Sequence, residues 1–242
     1  MSANSQIKPT ATTRPVPAVK QPRRTQAERR QATQEKLVQG AIRLLKEKRY
    51  AGFRTAEVSA VAGLSRGAQT HHFATKDDLV LLALEQVYQE TSARSRRQIA
   101  IAEPTREGLI KALVDDSAEF FLGDDFLMSL DLVMVGADEA FQVAVRKLAK
   151  RYRLAVEDEW RQAFLEAGCS PEDTDKIIWI TFAVGRGLGV RQVMSGTSMK
   201  FRQVLEQWGE IARGSVSGTV TGTGVDKGAA SLRESSPRMV RR

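Results

Sequence analysis

At 242 residues, 42% of them hydrophobic, the chain can bury the core of one or two compact domains and still leave tails. No apolar run approaches the roughly 20 residues that would cross a bilayer. The Lys-, Arg- and Pro-rich start lacks the apolar stretch of a secretory signal, so a cytoplasmic protein with no membrane partner is expected. The net charge of +8 is uneven: residues 1–54 carry 13 Lys and Arg against 3 Glu, and the other 188 carry 24 basic against 26 acidic groups. A basic head on a near-neutral body is the electrostatic footprint of a polyanion bound at one end. The one cysteine, Cys169, rules out an internal disulfide.

Residues 1–24, with Pro9, Pro15, Pro17 and Pro22 and no apolar period, read as a disordered basic arm. From Thr25 the pattern turns helical, with Leu37, Val38, Ala41, Ile42, Leu44 and Leu45 on one stripe. This helix should end near Lys48 or Arg49, leaving Tyr50 and Phe53 as plugs between it and the next helices. Thr55 then caps a short helix carrying Val58, Val61 and Ala62, and Gly63 ends it in the left-handed conformation. Leu64 plugs the corner, and Ser65 caps a second helix running to about Phe73. Two short helices around a glycine turn form a helix-turn-helix over residues 54–73, able to hold the second helix out for a DNA major groove.

Thr75 and Asp78 read as a capping box opening a long helix with Leu79, Val80, Leu82, Ala83, Val87 and Ile99. Pro104 opens the next, with Leu109, Leu113, Phe120 and Phe121, and helical pattern continues over Phe126–Val135 and Ala137–Ala167. Gly168 caps, and Ser170-Pro171-Glu172-Asp173 restarts a helix through Ile177–Met194, nearly all apolar except Arg186, Arg191 and Gln192. A last amphipathic helix spans about Met199–Ala212, and residues 214–242 read as a disordered tail. No segment shows the alternation of a strand between hairpin turns. The expected fold is all-α with about nine helices. A DNA-binding domain covers residues 25–91, and a ligand-binding and dimerisation domain covers 92–213.

The first amphipathic helix, then RTAEVSAVAGLSRG, HHF, TK and DDL, resembles the tetracycline-repressor-like (TetR) family over about residues 31–91. The resemblance implies a homodimeric repressor that binds a palindromic operator in double-stranded DNA and leaves it when a small-molecule effector occupies the C-terminal domain. Thr70 stands where the family usually has a phosphate-touching tyrosine, and Gln69 where it usually has an apolar residue.

On the recognition helix Arg66, Gly67, Thr70 and His71 share one exposed face, opposite the inward-leaning Ser65, Gln69, His72 and Phe73. Arg66 is the candidate base reader, since its planar fork can bond guanine O6 and N7 together. Gly67 and Ala68 permit close approach to the groove floor, and Ala68 can touch a thymine methyl. Thr55, Thr70 and Lys76 are candidate phosphate contacts, and Ser65 and His71 complete the DNA-binding set. Arg23, Arg24, Arg29 and Arg30 form a candidate arm along the backbone or minor groove. The adjacent His71 and His72 point about 100° apart and have no acidic or cysteine companions, so no metal and no cofactor is expected.

Gly185, Gly187 and Gly189 bare one apolar helix for close approach. Together with Phe201, Leu205 and Trp208 they make a candidate isologous dimer contact. In the helices where the family places its ligand, Phe120, Phe121, Leu130, Met134, Phe141, Trp160, Phe164 and Phe182 are candidate pocket walls. Arg186 is the charge among them, with an acidic ligand, Glu159 or Glu166 as candidate partner. No nucleophile elbow, phosphate loop or zinc spacing points to catalysis, and Asp115-Asp116 and Asp124-Asp125 read as solvated helix ends. The competing readings are a non-specific nucleic-acid binder and a helical small-molecule carrier.

Overall fold

The computed structural model describes residues 25–65, 67, 71–135, 138–196 and 199–215. The arm at residues 1–24 and the tail from 216 onward lie outside these, as do Arg66, Ala68, Gln69 and Thr70. The described residues form nine α-helices and no strand: α1 (Gln26–Gly52), α2 (Thr55–Val61), α3 (Lys76–Ile101), α4 (Arg106–Phe121), α5 (Asp124–Met134), α6 (Glu139–Ala149), α7 (Ala155–Glu166), α8 (Pro171–Ser195) and α9 (Met199–Gly214). A π-helical stretch, Lys150–Leu154, joins α6 to α7. Two compact units emerge, one of the residues up to Gln89 with Met128–Leu148, the other of Glu90–Leu127 and the chain from Ala149 onward.

In the first unit a capping box starts α1: the Glu28 amide donates to Thr25 Oγ1 at 3.2 Å and the Thr25 amide to Glu28 Oε2 at 2.7 Å. The stripe from Leu37 to Leu45 is buried as its spacing predicts. The helix breaks where the sequence signals its end, at Arg49, whose φ of 58° and ψ of 176° lie in a region that glycine almost alone adopts. Arg54 in extended backbone holds the cap position of α2 and no side chain bonds there, so Thr55 is the first helical residue and not the cap expected of it. Val58 and Ser59 are buried, while Val61 is left exposed. Gly63 has φ +68°, and its amide donates to the Ala60 carbonyl while the Leu64 amide donates to that of Ser59. These are the two bonds of a Schellman turn. Thr75 and Asp78 exchange two bonds of 3.0 Å at the start of α3, the capping box read from the sequence.

In the second unit Thr105 caps α4, one residue after the expected Pro104, by accepting from the Gly108 amide. Ser170 caps α8 through the Asp173 amide with Pro171 as first helical residue, and Gly168 at φ +83° follows α7. Helix α4 packs against α8 and α9, and the rings of Phe120, Phe121, Phe126 and Phe182 meet edge-on or tilted with centroids 5.2–5.9 Å apart. The Trp208 indole donates to Thr181 Oγ1 at 2.8 Å, tying α9 to α8. Helix α9 runs two residues beyond the expected Ala212.

Candidate nucleic-acid interface

Thr55 is half-buried at the start of α2, Gly67 and His71 are exposed, Ser65 is exposed and not inward-facing as expected, and His72 is half-buried. The middle of the expected second helix of the helix-turn-helix lies outside the described residues. Phe73 is buried beneath them, as the inward face requires. A Cβ added at Gly67 would meet nothing within 4 Å, so this position presents bare backbone. Arg66, Ala68 and Thr70, the remaining candidate contacts of the recognition segment, lie outside the described residues. An ion pair between Lys48 and Glu57 ties α1 to α2.

Lys76 is held by its surroundings. Its ammonium donates to the Tyr50 carbonyl at 3.2 Å and lies 3.6 Å above the Tyr50 ring centroid and 5.7 Å from that of Phe53. Burial lowers its pKa, and the Asp77 charge opposes that. Tyr50 is more than the plug expected of it. Its amide donates to Asp131 Oδ2 at 2.7 Å, its hydroxyl to Asp77 Oδ1 at 2.9 Å, and its ring lies 5.5 Å from that of Phe141. Burial, then the bond to Asp77, pushes the phenol pKa up to about 12.

The candidate pocket residues are divided between the two units. Leu130, Met134 and Phe141 belong to the first unit, where Phe141 packs on Tyr50 and Met134 is exposed. Phe120, Phe121, Trp160, Phe164 and Phe182 are buried in the second unit. Arg186 is exposed, 5.7 Å from the Phe121 ring centroid. Neither acid named for it is free: Glu159 takes a forked bond from Arg96, and Glu166 accepts from Gln162. Arg186 instead acts on Glu157, where its charge opposes the upward push of burial.

The second unit also holds a buried polar cluster. Asp116, read from the sequence as a solvated helix end, is only 2% exposed and accepts from Ser95 at 2.7–2.9 Å. Burial raises its pKa, against the Ser95 bond, the charges of Arg153 and Arg94, and the nearby Trp160 indole. Ser92 donates to the Tyr152 carbonyl within the π stretch. Among the described residues, the buried hydroxyls of Ser117 and Thr174 have no partner at hydrogen-bond geometry, while the fully buried Trp160 indole faces the Asp116 carboxylate. The sequence signal was available: Asp116 continues the stripe of Leu109, Leu113 and Phe120, so solvation was the wrong reading for it.

Of the candidate dimer residues, Phe201 and Leu205 are buried by the chain itself, Trp208 is half-buried, and Gly185 and Gly189 face inward against Phe121 and Phe126. Of the three glycines, Gly187 opens outward, with nothing within 4 Å of an added Cβ. Around it an apolar stripe of α8 is exposed: Trp179 at 69%, Ile180, Val190, Val193 and Met194 at 85%, with Val204 and Ile211 on α9.

The described residues are all helical, with the first helix and glycine turn of a helix-turn-helix followed by a larger helical part, the architecture of a helix-turn-helix regulator. Residues 37–83 match the bacterial regulatory proteins of the tetR family. Over 192 residues the chain is 43% identical to the HTH-type transcriptional regulator CymR of Pseudomonas putida, spanning 79% of this chain and 94% of that one. The regulator FadR of Bacillus subtilis, solved with stearoyl-CoA, is similar with TM-score 0.57 at 13% identity, over 75% of this chain and 98% of that one. A regulator of Saccharomonospora viridis, solved with choline, gives 0.59 at 18% identity, over 74% and 96%. The last two are likenesses of fold. The chain belongs to the tetR family and is a DNA-binding transcriptional regulator.

Proposed function

We propose that the protein is a dimeric repressor that reads a palindromic operator and releases it on binding a small molecule. The observation that carries this reading is the tetR-family match over residues 37–83 in the same chain as an uncovered apolar face on α8 and α9. One helix-turn-helix reads only a few base pairs, so specificity requires two copies about one DNA turn apart. The stripe from Trp179 to Met194 is self-complementary in character and fits a second copy of this chain, with Gly187 allowing close helix approach. Arg66 is assigned base reading, Gly67 and Ala68 close approach, and Thr55, Ser65, Thr70, His71 and Lys76 backbone and flanking contacts.

The effector is assigned to the second unit, around Asp116, Ser95 and Trp160, walled by Phe120 and Phe164. The buried Ser117 hydroxyl beside Asp116 has no partner, a costly and rare arrangement that a bound molecule would satisfy. The stearoyl-CoA and choline complexes of proteins sharing the fold support a small molecule as the class of effector, and no more than that.

The test is fluorescence anisotropy of the purified protein on its own upstream intergenic DNA, against scrambled DNA, at two salt concentrations. Saturable, sequence-dependent binding of two chains per site is expected. Arg66→Ala should then lose about 1–3 kcal/mol and relax one operator position. Equal binding to both DNAs, vanishing together in salt, would replace the repressor with a non-specific binder.

A further inference from the structure

Taking the helix-turn-helix as the DNA-binding surface, we propose that Tyr50 is a positioning residue that holds Lys76 ready for a backbone phosphate, and that Asp131 sets Tyr50 by gripping its amide. An aromatic that merely fills a gap uses its ring. Tyr50 has four further engagements: its amide on Asp131 at 2.7 Å, its carbonyl under the Lys76 ammonium at 3.2 Å, its ring face below the same ammonium at 3.6 Å, and its hydroxyl on Asp77 at 2.9 Å. The break at Arg49 turns this amide out of the helical ladder of α1, and the Asp131 carboxylate of α5 accepts it.

The consequence falls on Lys76. A lysine on a surface samples many rotamers and loses them when it meets a phosphate. Here the ammonium already rests on one ring and one carbonyl, and Tyr50 occupies one of its three donors. Lys76 is also the first residue of α3, at the helix end that favours anions. The negative neighbour that would repel a phosphate, Asp77, is oriented by the Tyr50 hydroxyl. Asp131, Tyr50, Lys76 and Asp77 all lie in the first unit.

The experiment measures anisotropy of a fluorescein-labelled duplex of random sequence over a series of salt concentrations, since a phosphate contact is blind to sequence. Lys76→Ala should weaken binding about fivefold to tenfold at low salt and flatten the logarithmic salt slope by about 0.9, the value of one phosphate. Tyr50→Leu and Asp131→Ala should each reproduce most of both effects and add nothing in the Lys76→Ala background. Tyr50→Phe, which keeps ring and carbonyl, should retain most of the slope. Additive losses, or an unchanged slope in Tyr50→Leu, would overturn the assignment. If Tyr50→Leu loses its helical circular dichroism, Asp131→Ala carries the same test alone. A wild-type protein that binds no duplex at any salt would remove the DNA-binding reading itself, a result distinct from wild-type binding with indifferent variants.

Discussion

Three glycines in one turn and a half of α8 should respond to the same substitution in three different ways. A Cβ on Gly189 would stand 2.3 Å from the Phe121 carbonyl oxygen and 2.6 and 2.8 Å from two ring carbons of Phe126. The carbonyl is backbone and cannot rotate aside, so α4 and α8 must separate by about 1 Å to restore ordinary contact. Overpacking of this kind costs about 1–3 kcal/mol or more, while alanine returns about 1 kcal/mol of helix propensity over glycine. With rigid atoms opposed, the upper end applies, leaving Gly189→Ala destabilised by about 2 kcal/mol. At Gly187 no atom of the same chain lies within 4 Å, so Gly187→Ala should gain about 1 kcal/mol in a chain kept monomeric by Trp179→Glu, where the proposed dimer contact is absent. Gly185→Ala meets the Phe121 ring at 2.6 Å, a side chain able to shift, and should fall between. Urea unfolding followed by circular dichroism at one fixed protein concentration measures all three. A Gly189→Ala protein as stable as Gly187→Ala would refute the close approach of α4 and α8.

Arg49→Gly should stabilise the chain by about 1 kcal/mol, because glycine removes backbone strain of about 1–3 kcal/mol against about 0.5–1 kcal/mol of added unfolded-state entropy. A lower urea midpoint would mean that the arginine side chain outweighs its backbone. Trp179→Glu, on the exposed stripe of α8, should leave the fold intact and shift sedimentation from dimer to monomer; an unchanged dimer would move the interface elsewhere. For Asp116 the raised folded pKa means that the unfolded chain releases this proton first, so the group's contribution to stability falls as pH rises from about 3.8 through the folded value. Asp116→Asn should abolish that fall, with wild type and variant converging at the acid end. Curves that stay parallel from about pH 3 to 7 would remove the buried carboxylate as its cause.

The fold was legible because helices announce their ends with specific atoms. Gly63, Gly168, Thr75 with Asp78, and Ser170 with Pro171 each carry a local hydrogen bond or a left-handed residue that a few neighbours dictate. The faces were legible where one side of a helix is polar, as along Leu37–Leu45. Helix α8 is apolar nearly all round, so its period does not say which side meets the chain's own core. Even so, Gly185 and Gly189 are four apart and share a face, while Gly187 lies about 160–200° from both. That geometry separates the inner pair from the outer glycine. The Tyr50–Asp131 bond spans 81 positions, and no local pattern encodes a contact of that range. The pocket residues divide between the two units for the same reason: large apolar side chains mark burial, and burial does not say in which unit.

Two departures from local rules remain, and each lies at a position given a role in the proposals above. Arginine is an unfavourable choice at φ 58°, and a carboxylate at 2% exposure is an unfavourable choice for a helical stripe. Sequences that fold well tend to agree with their structures at every level except where function demands otherwise. The break at Arg49 delivers the Tyr50 amide to Asp131 and, through the carbonyl and ring, fixes Lys76 at the start of α3. Asp116 gathers Ser95 and the charges of Arg94 and Arg153 into a core that aliphatic side chains would fill more stably. A chain selected for stability alone would have a glycine at the first position and a leucine at the second. Glycine keeps the break, so Arg49→Gly should stabilise the protein and leave the Tyr50–Lys76 arrangement and its salt slope intact, whereas Asp116→Leu should stabilise it and abolish effector release.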